Sequence, residues 1–194
     1  MPAVLVTRGV PERVRRHLAE RCRLEVWEGE GVMPRAELLD RVAGKAGLVA
    51  MLTDRVDGEL LDRAGRQLRV VANYAVGHDN LDLEACTARG VLATNTPDVV
   101  TEATADLAWA LLLAAALVAG QLGAAGLDVF EREPEVHPGL LGLDNVTIVP
   151  HLGTATVETR VAMGMAAAAN LLAALEGRRP PNLLNPDALG QAAG

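Results

Sequence analysis

Aromatic side chains are nearly missing: two Trp, one Tyr and one Phe among 194 residues. Trp27, Trp109, Tyr74 and Phe130 do not suffice to fill a core, so the core must be built from Leu, Val and Ala. Lysine is scarcer still, since Lys45 stands alone and the remaining basic charge is Arg. The chain carries a formal net charge of −7 and no basic stripe. Its densest basic run, Arg13, Arg15, Arg16, Arg21 and Arg23, is broken by Glu12 and Glu20 and reads as the solvated face of a helix. A nucleic-acid partner is therefore not expected. The two cysteines, Cys22 and Cys86, make no metal-spaced pair and are expected to be reduced, structural thiols. Met1 to Val6 shows no charged leader followed by a long apolar run. The weakly polar stretch Leu107 to Gly126 is mostly Ala and Gly and is broken by Gln121, so it reads as buried helix and strand. A cytoplasmic chain with no membrane partner is the expectation.

What is present is an alternation of short apolar runs with amphipathic stretches. Val4–Thr7, Leu24–Trp27, Gly47–Leu52, Arg69–Asn73 and Val91–Thr94 have strand length, and the third and fourth are almost continuously apolar, as in a sheet buried on both faces. Helical stretches lie between them: one opened by Pro11 with Val14, Leu18 and Cys22 spaced by four, one opened by Pro34, then Asp57–Ala64 and Leu81–Ala88. Strands alternating with helices imply an α/β fold with a parallel sheet. Beyond Asn95-Thr96-Pro97-Asp98 come a long helix over Glu102–Leu117 and strand-like runs at Gly123–Val129 and Asn145–Pro150. A last helix, capped by Thr154 or Thr156, runs to about Leu175 and stops at Gly177. The proline-bearing tail from Arg178 is expected to be extended or frayed.

Three segments carry chemistry. Asn73-Tyr74-Ala75-Val76-Gly77-His78-Asp79-Asn80 follows a buried strand and has Gly at its turn, where backbone N–H groups can hold an anion such as a carboxylate. Gly126-Leu127-Asp128-Val129-Phe130-Glu131-Arg132-Glu133-Pro134 places a carboxylate just past a strand end. Val149-Pro150-His151-Leu152-Gly153-Thr154 places a histidine at another. Ligands bind at the carboxyl ends of parallel strands, and a Glu beside a His favours the charged imidazole that serves as a general acid.

In this order, and with Asn95 to Trp109 between them, these segments resemble the D-isomer-specific 2-hydroxyacid dehydrogenase family, most of all its glyoxylate/hydroxypyruvate reductase and phosphoglycerate dehydrogenase branch. The resemblance implies a flavodoxin-like parallel-sheet substrate lobe over residues 1–96 plus 154–180. It implies a linking helix and a remnant of the Rossmann cofactor domain over 97–153, and a tail over 181–194. It implies that Glu133 and His151 are the catalytic pair, with His151 protonating the 2-keto oxygen as hydride arrives from NADH or NADPH. Val76 and Gly77, with Leu52 nearby, match the substrate-carboxylate cradle, while Thr104 and Gly153 match positions near the cofactor. The partners implied are a small 2-keto or 2-hydroxy acid and a second copy of the chain, docked through the helix around Trp109.

The chain departs from the family pattern in its middle. No G-x-G-x-x-G follows a strand, and the cluster Gly120, Gly123 and Gly126 has the wrong spacing and precedes one. No arginine stands in the segments flanking the junction near Ala114–Val118, where the family's catalytic arginine would belong. A piece of ~100–150 residues, the size of a domain, is missing there. NAD or NADP serves the intact family, and this chain is expected to bind neither and to be inactive or nearly so. The leftover strands must then pair with each other, cover the lobe or dimerise. The alternative readings are a non-catalytic module for small carboxylates and an engineered minimal flavodoxin-like domain.

Overall fold

Four-residue strands dominate the first half of the chain because its apolar runs are that short. The computed structural model describes residues 1–97, 125–128, 136, 141, 144–153 and 155–190. Strands β1 (Ala3–Val6), β2 (Arg23–Val26), β3 (Gly47–Ala50), β4 (Val70–Asn73) and β5 (Leu92–Thr94) form one parallel sheet in the order β2-β1-β3-β4-β5. That order is the flavodoxin-like one, with its switch point between β1 and β3. Between the strands run α1 (Glu12–Ala19), α2 (Arg35–Arg41), α3 (Gly58–Ala64) and α4 (Leu83–Ala88).

The helix starts follow from their first residues. Pro11 and Pro34 precede α1 and α2. Asp57 and Asp82 cap α3 and α4 by accepting from the amides of Leu60 (3.1 Å) and Ala85 (2.8 Å). Asp57 also meets the Arg35 guanidinium at 2.6 Å. Burial pushes its carboxyl upward, but the Leu60 amide and Arg35 outweigh that, and it titrates below the usual range.

Register explains the core. Leu5, Leu48, Val71 and Ala93 stand side by side across four strands. They are buried with Leu38 of α2, Leu60 and Leu61 of α3 and Cys86 of α4 on one face of the sheet. The next row, Val4, Gly47, Val70 and Leu92, looks to the opposite face. There Leu171 fills the space that a side chain on Gly47 would take, its Cδ1 only 2.8 Å from where a Cβ would sit. Both cysteines are buried and unpaired, and burial pushes the Cys86 thiol up to about 12, so it stays protonated at physiological pH.

Leu171 belongs to α5 (Val157–Leu175), the returning helix. Thr156 caps it by accepting from the Thr159 amide at 3.1 Å, and Gly177 ends it in the left-handed region at φ 75°. The tail beyond departs from the expectation of fraying. Leu183 bridges antiparallel to Thr94, and Pro186–Gly190 winds into a 3-10 turn. Asn side chains are the reason. Asn185 Oδ1 accepts from the Ala93 amide (2.8 Å), while its Nδ2 donates to the Val91 carbonyl (2.9 Å) and Thr87 Oγ1 (3.1 Å). Asn170 of α5 donates to Asn182 Oδ1 (3.2 Å) and accepts from its amide (3.0 Å). Buried side-chain amides with every group satisfied hold a segment that composition alone marks as loose.

The chain divides into two compact units, Met1–Asp98 with Val161–Gly194, and Val99–Arg160. In the second, β6 (Ala125–Leu127) and β7 (Val146–Ile148) pair in parallel, Gly126 opposite Thr147. The leftover strands pair with each other. Among the described residues, no helix is long and apolar enough to cross a membrane.

Candidate ligand-binding site

The turn that follows β4 is built so that its carbonyls face the fold. Ala75 O accepts from the Thr96 amide at 2.9 Å. Val76 O accepts from Asn95 Nδ2 at 2.8 Å, and Gly77 O from Asn73 Nδ2 at 2.8 Å. In a trans peptide the N–H points opposite to the C=O. The amides of Val76, Gly77 and His78 therefore point away from these three donors, and none of them donates a hydrogen bond among the described residues. Three successive N–H groups without an acceptor among the described residues, at the carboxyl end of a buried parallel strand, are suited to a small anion.

Gly77 sharpens that assignment. Its φ lies outside the left-handed region, and a Cβ there would meet only Leu52 Cδ1, at an ordinary 3.6 Å. Neither backbone conformation nor packing demands glycine. What its missing side chain provides is an open outer face over which a ligand can approach the amides. Leu52 and Val76, 48% and 40% exposed, form an apolar rim beside it. Leu52 and Gly77 thus lie side by side.

The support beneath the turn is polar and buried. Asn73 and Asn80 exchange side-chain amide hydrogen bonds at 3.1 Å. Asn80 Nδ2 also donates to the carbonyls of Met51 (3.1 Å) and Asp54 (3.0 Å), tying the β3 loop to the β4 turn. Asp54, 3% exposed, accepts from Thr7 Oγ1 (2.5 Å) and the Met51 amide (2.7 Å). Asn170 of α5 donates to Asn95 O at 2.9 Å, so the returning helix braces the residue that holds Val76 O. The sequence motifs contain Asn73, Asn80 and Asn95 without assigning them a role, and leave out Asn170 and Asp54. The available signal was an amide or carboxylate side chain closing a buried apolar strand.

In the second unit, His151 follows β7 in the left-handed region at φ 51°, uncommon for a residue with a side chain. Asp128, just past β6, holds that turn. Its carboxylate accepts from the amides of Leu152 (2.5 Å) and Gly153 (2.8 Å), and its carbonyl from the His151 amide (3.0 Å). Asp128 is a positioning residue for the histidine turn, and the Gly153 amide is already engaged by it. Charge-assisted bonds of this kind contribute about 1.5–3 kcal/mol each. Asp128→Ala should accordingly raise hydrogen exchange at the Leu152 and Gly153 amides by about tenfold or more, and unchanged exchange would show that the turn is held otherwise. Glu133, Thr104, Trp109 and the alternative helix cap Thr154 lie outside the described residues.

A dinucleotide requires a strand running into a glycine-rich turn that opens a helix. Gly126 instead lies inside β6, paired with Thr147, and cannot supply such a turn. The described residues do not fit NAD or NADP. Nor does any group of three or more His, Cys, Asp or Glu among them suit a metal ion.

A five-stranded parallel sheet in flavodoxin-like order is the architecture of the substrate domains of α/β 2-hydroxyacid dehydrogenases. The chain belongs to the D-isomer specific 2-hydroxyacid dehydrogenases, whose catalytic-domain model matches residues 4–185. It is 54% identical to the glyoxylate reductase of Thermococcus gammatolerans over 115 residues, 59% of this chain and 34% of that relative. Against the glyoxylate reductase of Pyrococcus furiosus it is 29% identical over 325 aligned positions, 97% of this chain and 96% of the relative. The alignment thus spans 325 positions while the chain has 194 residues, and the difference has the size of a domain. Among solved structures, the TT0316 protein of Thermus thermophilus superposes with a TM-score of 0.84 at 30% identity, covering 94% of this chain and 99% of that one.

Proposed function

We propose that this chain is a D-2-hydroxyacid dehydrogenase-type homologue that keeps the substrate lobe without the cofactor core. In this reading it binds the carboxylate of a small 2-keto or 2-hydroxy acid on the amides of Val76, Gly77 and His78, and it does not carry hydride. The observation that carries the reading is the inward anchoring of three successive carbonyls, which leaves three outward amides over a glycine that the fold itself does not need. Leu52 and Val76 shield one side of the ligand from water, which strengthens the amide–carboxylate bonds.

In the intact family, as the resemblance implies, NAD(P)H supplies hydride while the residues matched by His151 and Glu133 manage the proton at the 2-keto oxygen. Here those two positions remain, but the glycine turn and the arginine are absent from the sequence. The developing oxyanion would lose its main cationic partner, and the nicotinamide its seat.

The test is a titration of the isotopically labelled chain with glyoxylate, oxalate and NADH, following the Gly77 and His151 amides. Shifts at Gly77 with both acids and none with NADH are the expected result. NADH binding would restore the reading of an active enzyme. Silence with all three would leave a ligand-free flavodoxin-like domain.

A further inference from the structure

We infer that Arg8 forms a second anion-holding position on the same sheet edge, so that the site favours a short-chain 2-hydroxy or 2-keto diacid over a monoacid. The inference rests on the carboxylate reading of the Val76–His78 amides and extends it to the far end of the ligand.

Arg8 stands two residues past β1, at the carboxyl end of the sheet. Its guanidinium is partly buried and makes one hydrogen bond, from Nη2 to Thr53 Oγ1, at a long 3.4 Å. The Nε atom is buried with no partner at all. Arg8 makes no ion pair among the described residues, although most arginines of this lobe sit against a carboxylate, as Arg21, Arg35, Arg41, Arg63 and Arg89 do. A buried donor left unmade is costly, and a guanidinium fork is shaped for a carboxylate. The nearest buried acid in the same loop, Asp54, does not supply the partner, because its carboxylate is taken by Thr7 Oγ1 and the Met51 amide.

Position joins Arg8 to the cradle. Thr53, which touches Arg8, adjoins Leu52, and Leu52 flanks Gly77. The same β3 loop is tied through Asn80 to Asn73, which holds Gly77 O. Arg8 and the three amides therefore belong to one hydrogen-bonded cluster of loops. Strand order places β3 between β1 and β4, so the two anchors start ~10 Å apart, two strand spacings. An arginine side chain and a diacid of a few carbons together bridge that gap. A monoacid reaches only the amides.

D-lactate and D-malate differ in the terminal carboxylate, and each is titrated into the full chain while the Gly77 amide is followed. The wild type should bind malate about tenfold more tightly than lactate, and Arg8→Gln should remove that preference while leaving lactate affinity unchanged. Arg8→Lys, which keeps the charge and loses the fork, should keep part of it. Lactate and malate binding equally, or a preference that survives Arg8→Gln, overturns the inference and leaves the carboxylate cradle standing. No Gly77 shift with either acid overturns the cradle reading and this inference together. Amide spectra of both variants matching the wild type away from Arg8 establish that the fold is intact.

Discussion

NADH mixed with this chain and glyoxylate or hydroxypyruvate is expected to stay unoxidised, with its absorbance unchanged over minutes at micromolar protein. The expectation follows from what hydride transfer needs. Holding nicotinamide and keto carbon together supplies about 7–11 kcal/mol of a barrier, an effective molarity of about 10⁵–10⁸ M. In the proposed reading, a chain without the glycine-rich turn forfeits that contribution. The expected loss is therefore at least about 10⁵-fold, which takes an ordinary turnover of roughly 1–10³ per second down to about 10⁻² per second or less. The assay is paired with the Gly77 amide titration, so that a folded, acid-binding chain is shown to be the one that fails. Turnover above about one per second, surviving repurification, would overturn the proposed function.

Leu171→Ala should destabilise the first lobe by about 3 kcal/mol, the middle of the range for emptying a fully buried leucine site. Gly47→Ala should also destabilise, because its new Cβ would lie 2.8 Å from Leu171 Cδ1 and 3.4 Å from Val4 Cγ2. The informative variant is the double one. With Leu171 shortened, the alanine at position 47 occupies part of the vacated space, so the double mutant should be more stable than the sum of the singles by about 1 kcal/mol. Urea unfolding of the four proteins measures this. Strict additivity would mean that the returning helix does not seat on the sheet through this pair.

Much of this architecture was legible beforehand, and the reason is local. Gly47–Ala50 and Val70–Asn73 are apolar without interruption, which only a sheet covered on both faces accommodates, and Pro11, Pro34 and Asp57 mark helix starts by their own chemistry. Gly77 and Val76 were legible as a turn after a strand. What was not legible depends on partners far along the chain. Nothing near Asn95 announces that Asn170 will hold its carbonyl, since 75 residues separate them. Arg178 to Gly190 read as loose because prolines dominate it, while its order comes from Asn182 and Asn185 reaching α5 and β5. Asp128 stands within a sequence motif, yet its task, fixing the two amides after His151, depends on β6 and β7 lying side by side.

The clasp between the tail and β5 gives the lobe an unusual freedom. Strands β1–β5 are complete by Thr94, and α5 with Asn182 and Asn185 closes over them from the far side of the intervening chain. The lobe is therefore closed by contacts among its own residues, made by Asn170, Asn182 and Asn185. The entropy of closing a flexible connection changes by only ~0.6 kcal/mol per doubling of its length. Exchanging a whole nucleotide-binding cassette for a shorter insert thus asks little of the host. Evolution or a designer can shorten, lengthen or replace that insert while the β4 turn and its asparagine anchors stay in place.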